Sequence, residues 1–300
     1  MYFLPALFRR KARNALKGHW QTALLIALIV NLPTLLMQGL SAVTGNDVTT
    51  RLETLILTAS RDGILTEKLV LDEISALLNS TGFWTVRGLE LLAWLITPCL
   101  TLGMYKWMLN RLDGMDDPVT TVFCRVRLLF KAIGMQLLII LKILLWMLPG
   151  IAAGIAVLYP VITAGSAQEQ LSAVQGSYGM SLPVMLLMII PGVMAGLRYA
   201  LAEYILADGP ENKILFCIRR SKFLMKDQKK NLFLLLLSFL LWYLLSVLVS
   251  SMVSGVFSIL IQMLASLALS VYMAGSVGAF YQALEKGTSP EAEPEQEELN

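Results

Sequence analysis

The sequence is short of charge. Only 15% of its 300 residues are Asp, Glu, Lys or Arg, where soluble domains carry about 25%. Histidine is nearly missing. His19 stands alone, so a histidine-centred triad or a histidine metal site has no second member. Cysteine is scarce too. Cys99, Cys124 and Cys217 are spaced unlike a metal site, and none falls where an extracellular disulfide would form. The chain contains no GxxxxGKS/T, no HExxH and no GxSxG. Asp113, Asp116 and Asp117 are close enough in sequence to suggest a cation, but a solvated loop or helix cap accounts for them. These absences give an expectation of no enzyme activity, no cofactor and no metal.

What is there is hydrophobic: 56% of the residues, gathered in runs. Apolar runs of about 18 residues or more read as membrane-spanning helices. Six occur, at 20–40, 89–109, 133–159, 182–206, 232–252 and 254–283. The connections between them alternate in charge. Arg9, Arg10, Lys11, Arg13 and Lys17 precede the first run, and Arg111, Arg125, Arg127 and Lys131 lie between the second and third. Lys213, Arg219, Arg220, Lys222, Lys226, Lys229 and Lys230 lie between the fourth and fifth. Residues 163–181 hold no basic residue, and residues 43–88 hold four against six acids. Basic loops stay on the cytoplasmic side, so the pattern predicts both termini in the cytoplasm. The basic stretch before the first run has the order of a secretory signal. No A-x-A-like site follows it, so the expectation is an uncleaved first span.

The basic segments are patterned. In "MYFLPALFRRKARNALKGHW", Leu4, Leu7, Phe8, Ala12, Ala15 and Leu16 recur at helical spacing. That is the signature of a basic amphipathic helix lying in the headgroup plane of anionic lipid. "FCRVRLLFKAIG" (123–134) and "FCIRRSKFLMKDQKK" (216–230) repeat the device before the third and fifth runs. Arg9, Arg10, Arg13, Arg125, Arg127, Arg219, Arg220 and Lys222 are the candidate lipid-headgroup contacts. The outer segment 43–88 reads as two short amphipathic helices broken near Asp62-Gly63. The last sixteen residues, 285–300, hold six Glu and two Pro and read as a disordered acidic tail. The remainder, 1–284, reads as one integral membrane domain.

Two stretches inside the runs are nearly the same: "LPGIAAG" at 148–154 and "IPGVMAG" at 190–196. A proline inside a helix removes one hydrogen bond and crowds the carbonyl four residues back. Pro149 and Pro191 are therefore expected to kink their helices. Gly150 with Gly154, and Gly192 with Gly196, give small residues four apart, which lets helices approach closely. One reading is tight packing of the third and fourth spans. The other is a pair of broken helices facing a ligand, as in secondary transporters. Ser266, Ser270, Ala274 and Gly278 form a further small-residue stripe, expected to face another helix of this chain or of a second copy. Lys142, Arg198 and Glu203 fall inside spans. Charges there mark candidate sites by default, although snorkelling to the headgroups also explains them. Glu203 could pair with either cation.

One stretch carries a family resemblance. Pro191, Gly192, Arg198 and Tyr199 form a Pro-Gly then Arg-Tyr pattern. Asp208 and Pro210 follow, then "C-I-x-x-S-K-x-L-M" over 217–225 and "L-F-x-L-x-L-S-F-x-x-W" over 232–242. With Phe280-Tyr281 and the opening "ALKGHW", these residues resemble the bacterial integral membrane family called domain of unknown function 975. The family's "LW-x-L-x-x-x-PG" element usually occurs once. Here Trp146 and Pro149 begin it, and Arg198-Tyr199 arrives only after a second Pro-Gly. The resemblance implies a polytopic protein of the cytoplasmic membrane and no assigned activity.

The sequence thus predicts an all-α, six-span transmembrane bundle, N-in and C-in, with cytoplasmic interfacial amphipathic helices. Its expected partners are the bilayer, anionic phospholipid, and a protein partner or second copy, with no nucleic acid. The expected function is lipid binding with scaffolding or modulation of a partner. The alternative is a small-molecule or lipid transporter with its site at the paired Pro-Gly elements.

Overall fold

A computed structural model describes residues 5–44, 75–76, 79–163, 167–253 and 256–287. The predicted outer helices of 43–88 and most of the acidic tail lie outside the described residues. Within them, all regular structure is helical. Helix α1 is Pro5–Leu16 and α2 is Trp20–Thr44. Helix α3 is Thr81–Leu112, followed by a 3₁₀ segment at Val119–Leu128. Then come α4 (Leu129–Thr163), α5 (Ala167–Tyr199), α6 (Ala202–Asp208) and α7 (Ile214–Leu224). Helices α8 (Lys229–Ser251) and α9 (Val256–Gly287) complete the chain. Six segments are long and apolar enough to cross a membrane, as the sequence predicts.

The element ends follow local chemistry. Pro5 opens α1, where its missing N–H costs nothing. Gly18 ends it in the left-handed region, at φ 85°, and His19 N–H closes onto the Leu16 carbonyl at 2.9 Å. Ser80 caps α3 by accepting from the Phe83 N–H at 3.1 Å. At the far end Gly114, at φ 83°, lets Met115 N–H reach the Asn110 carbonyl at 2.9 Å.

Helix α3 is the centre of the bundle. It packs against α2, α9, α4, α6 and the 3₁₀ segment, and buries Trp107, Met108 and Leu109 almost completely. The apolar face of α1 does not lie open to lipid. Phe8, Ala12 and Leu16 are buried. Phe8 meets Phe280 edge-to-face at 5.3 Å between centroids, and a Cβ on Gly275 would lie 3.1 Å from that of Ala12. The second basic segment also differs from its expectation. Residues 119–128 form the 3₁₀ turn and 129–134 are already the first turns of α4. The 3₁₀ backbone lies directly on α3: a Cβ on Gly103 would sit 1.8 Å from the Val122 carbonyl oxygen. That approach is open only to glycine.

Two further boundaries differ. The helices run unbroken through Pro149-Gly150 and Pro191-Gly192. The fourth span is interrupted instead at Ala200–Leu201, between α5 and α6. The buried Ser221 on α7 bridges that interruption. Its hydroxyl accepts from Leu201 N–H at 3.3 Å and donates to the Arg198 carbonyl at 3.1 Å. Residues 285–287, read from sequence as part of the acidic tail, belong to α9, where Glu285 pairs with Arg220 at 3.0 Å.

Candidate functional site

The polar side chains that hold the bundle together gather at one end, where α1, α6, α7 and the C-terminal turns of α3 and α9 meet. Lys106 on α3 pairs with Asp208 at 3.0 Å, and Arg220 pairs with Glu285. Lys11 donates to Gln282 at 2.9 Å, and Gln282 donates to the Leu109 carbonyl at 3.3 Å. Tyr272 donates to the Arg9 carbonyl at 3.2 Å. Exposed ion pairs of this kind contribute little stability each, so their main effect is to fix register. Cys217 is buried at the same end. Burial pushes its thiol up to about 11, which keeps it protonated and inert near neutral pH.

This end divides the eight candidate headgroup contacts into two groups. Arg10, Arg13, Arg127, Arg219 and Lys222 are exposed and make no hydrogen bond or ion pair among the described residues. Arg9 is half-buried, with its carbonyl engaged by Tyr272. Arg125 and Arg220 are spent inside the protein. Arg125 donates to the Ala207 carbonyl at 2.7 Å, and Arg220 also lies over the Phe223 ring at 5.7 Å. The same basic segments also carry exposed apolar side chains. Leu7, Phe123, Val126, Phe130, Leu215, Phe216 and Phe223 are all exposed.

A groove of about 630 Å³ opens between α5 and the start of α8. Ile189, Ile190, Val193, Met194 and Leu197 form its wall, with Phe233 opposite. Lys229 and Lys230 line its mouth together with Asp227. Asp227 adopts φ 64°, the left-handed turn that joins α7 to α8. From Ile189 to Leu197 the wall runs about 12 Å along the helix. The sequence reading counts these lysines with the basic loops but not among the headgroup contacts.

The chain belongs to the DUF975 family. The family, described as "Protein of unknown function (DUF975)", matches residues 7–288. Comparison with curated proteins and with solved structures finds no match. The family match and the six apolar segments make this a multi-pass membrane protein whose partner is the lipid bilayer.

In this DUF975 member Lys142, Arg198 and Glu203 form no ion pair with one another. Arg198 lies over the Trp146 ring at 5.0 Å, and Lys142 makes no hydrogen bond or ion pair among the described residues. Glu203 lies instead beside Tyr105. Tyr105 stacks on Tyr204 at 4.2 Å, and Tyr204 donates to the Ala274 carbonyl at 2.9 Å. The Pro-Gly elements meet as packing surfaces. A Cβ on Gly150 would lie 2.5 Å from Met188 Cα, and one on Gly192 would lie 3.2 Å from Met147 Sδ. Gly154 faces Val184 at 3.7 Å, while Gly196 meets nothing within 4 Å among the described residues. Of the small-residue stripe, Ala274 and Gly278 pack within the chain, where a Cβ on Gly278 would lie 3.4 Å from the Tyr204 ring, and Ser266 stays exposed.

Pro98, Tyr105 and Gln136 are not among the candidate residues of the sequence, and Ser221 is there only as one letter of the resemblance motif. A proline flanked by Thr97 and Thr101 inside an apolar run is the signal that marks the first of them.

Proposed function

We propose that this protein is a non-enzymatic component of the cytoplasmic membrane that holds anionic phospholipid and scaffolds or modulates a membrane partner. The groove between α5 and α8 carries this reading. Its wall is apolar over the length that an acyl chain would follow, and two lysines stand at its mouth against one aspartate. One anionic glycerophospholipid satisfies both features, with its tail along Ile189–Leu197 and its phosphate at Lys229 and Lys230. The exposed cations Arg10, Arg13, Arg127, Arg219 and Lys222 extend the same chemistry around that end of the bundle. The second reading, transport at the Pro-Gly pairs, gains nothing from the close approach of α4 and α5 at Gly150.

The test is extraction into native-lipid discs followed by mass spectrometry. Retained phosphatidylglycerol or cardiolipin should fall several-fold in the Lys229→Glu/Lys230→Glu variant while total phospholipid stays constant. Equal retention of anionic and zwitterionic lipid by both proteins would sink the proposal. A tightly held small molecule lost on Gly192→Leu would favour the transporter.

A further inference from the structure

A second, open cavity lies apart from the lipid groove and shares no lining residue with it. It holds about 190 Å³ and is lined by Trp94, Thr97, Pro98, Thr101, Gln136 and Glu203. Its polar lining is rich in lone pairs. Thr97 spends its hydroxyl proton on the Ala93 carbonyl at 2.8 Å, and Thr101 spends its own on the Thr97 carbonyl at 2.9 Å. Both oxygens keep lone pairs to offer. Pro98 has no N–H, so the Trp94 carbonyl loses its helical donor. Glu203 lies beside the Tyr105 side chain and lines the cavity. No ion pair reaches Glu203 among the described residues, and Arg198 is occupied with Trp146. Gln136 makes no hydrogen bond among the described residues and can turn its carbonyl oxygen inward.

We infer that this cavity binds a monovalent alkali cation, with Glu203 as its counter-charge and Thr97, Thr101, Gln136 and the Trp94 carbonyl as the surrounding oxygens. The charge balance selects the valence. One carboxylate neutralises one positive charge, and a divalent ion would leave an excess charge inside the apolar segments. The ligand set selects the ion class, because uncharged oxygens suit hard cations. No group of three His, Cys, Asp or Glu side chains that could hold a metal ion occurs among the described residues. The volume leaves room for the ion and several waters. A proton competes for the same carboxylate, so binding weakens as pH falls.

The measurement is thermal unfolding of the purified full chain in detergent at pH 8, titrated with NaCl, KCl or choline chloride at constant ionic strength. Sodium or potassium should raise Tm saturably where choline does not. The apparent affinity should fall as the pH is lowered toward 5. Glu203→Gln should abolish the cation-specific shift, and Thr101→Val should weaken it at least several-fold. If Glu203→Gln fails to fold, Thr101→Val and Gln136→Leu carry the test. Identical melting in all three salts overturns the inference and leaves Glu203 a proton-binding group only. A cation-specific shift that survives Glu203→Gln, or that survives unchanged in both Thr101→Val and Gln136→Leu, overturns it too.

Discussion

At the scale of single residues, Ser221 shows how much one side chain can settle. An interrupted helix leaves backbone groups without partners, and in an apolar surrounding each such group is costly. The Ser221 hydroxyl serves one donor and one acceptor across the Ala200–Leu201 interruption. Ser221→Ala removes both contacts at once and should cost about 1–3 kcal/mol, read as a lower Tm of the purified protein. Ser221→Thr keeps the hydroxyl and should recover most of the loss. A Ser221→Ala protein with unchanged Tm would show that the break needs no bridge. The position of Ser221 is visible in the sequence, inside the stretch that carries the family resemblance. Its task is not, because the break it spans carries no Pro or Gly. Ala200-Leu201 looks like any pair in an apolar helix, while the prolines that do look like breakers sit in continuous helix. The same blindness covers Gly103, whose role exists only because Val122 approaches it from a distant turn.

At the scale of elements, hydrophobic runs tell which segments are helices and say little about which faces meet. All six runs became helices, because a run of about 20 apolar residues has few alternatives in lipid. The basic amphipathic pattern of α1 was equally legible, but its partner was not. A moment toward lipid and a moment toward α9 look identical in one dimension, and Phe8 resolved it by meeting Phe280. The repeated Pro-Gly motif offers a sharp test of packing. Sequence treats Gly150 and Gly196 alike, as members of two GxxxG spacings. The structure separates them: Gly150 lies against the Met188 backbone, and a Cβ on Gly196 would meet nothing within 4 Å among the described residues. Gly150→Leu should force α4 and α5 apart and destabilise by about 1–3 kcal/mol or more, with reduced accumulation in the membrane. Gly196→Leu should change Tm by a degree or two at most. Equal effects at the two sites would show that the α4–α5 contact is not set by Gly150.

At the scale of the whole molecule, the ionic contacts and most of the buried core concentrate at one end of the bundle. There Lys106–Asp208, Arg220–Glu285 and Lys11–Gln282 tie α1, α3, α6, α7 and α9 together. The chain reaches the opposite end through the α4–α5 hairpin, whose outward side chains, such as Leu148, Ile155, Met180 and Leu182, are exposed apolar groups suited to lipid. Charge and topology then constrain each other. The end that collects Arg10, Arg13, Arg127, Arg219 and Lys222 is the end on which both α1 and the last turns of α9 lie. By the positive-inside rule such an end is expected in the cytoplasm, with both termini there and the α4–α5 turn outside. Fusions report this directly. A fluorescent protein joined after Asn300 should fluoresce, and alkaline phosphatase joined there should be inactive. Alkaline phosphatase inserted between α4 and α5 should be active. Active phosphatase after Asn300 would invert the topology, move Lys229 and Lys230 to the outer leaflet and take the lipid groove away from the anionic inner surface. The one set of fusions therefore tests the orientation and the premise on which the lipid proposal stands.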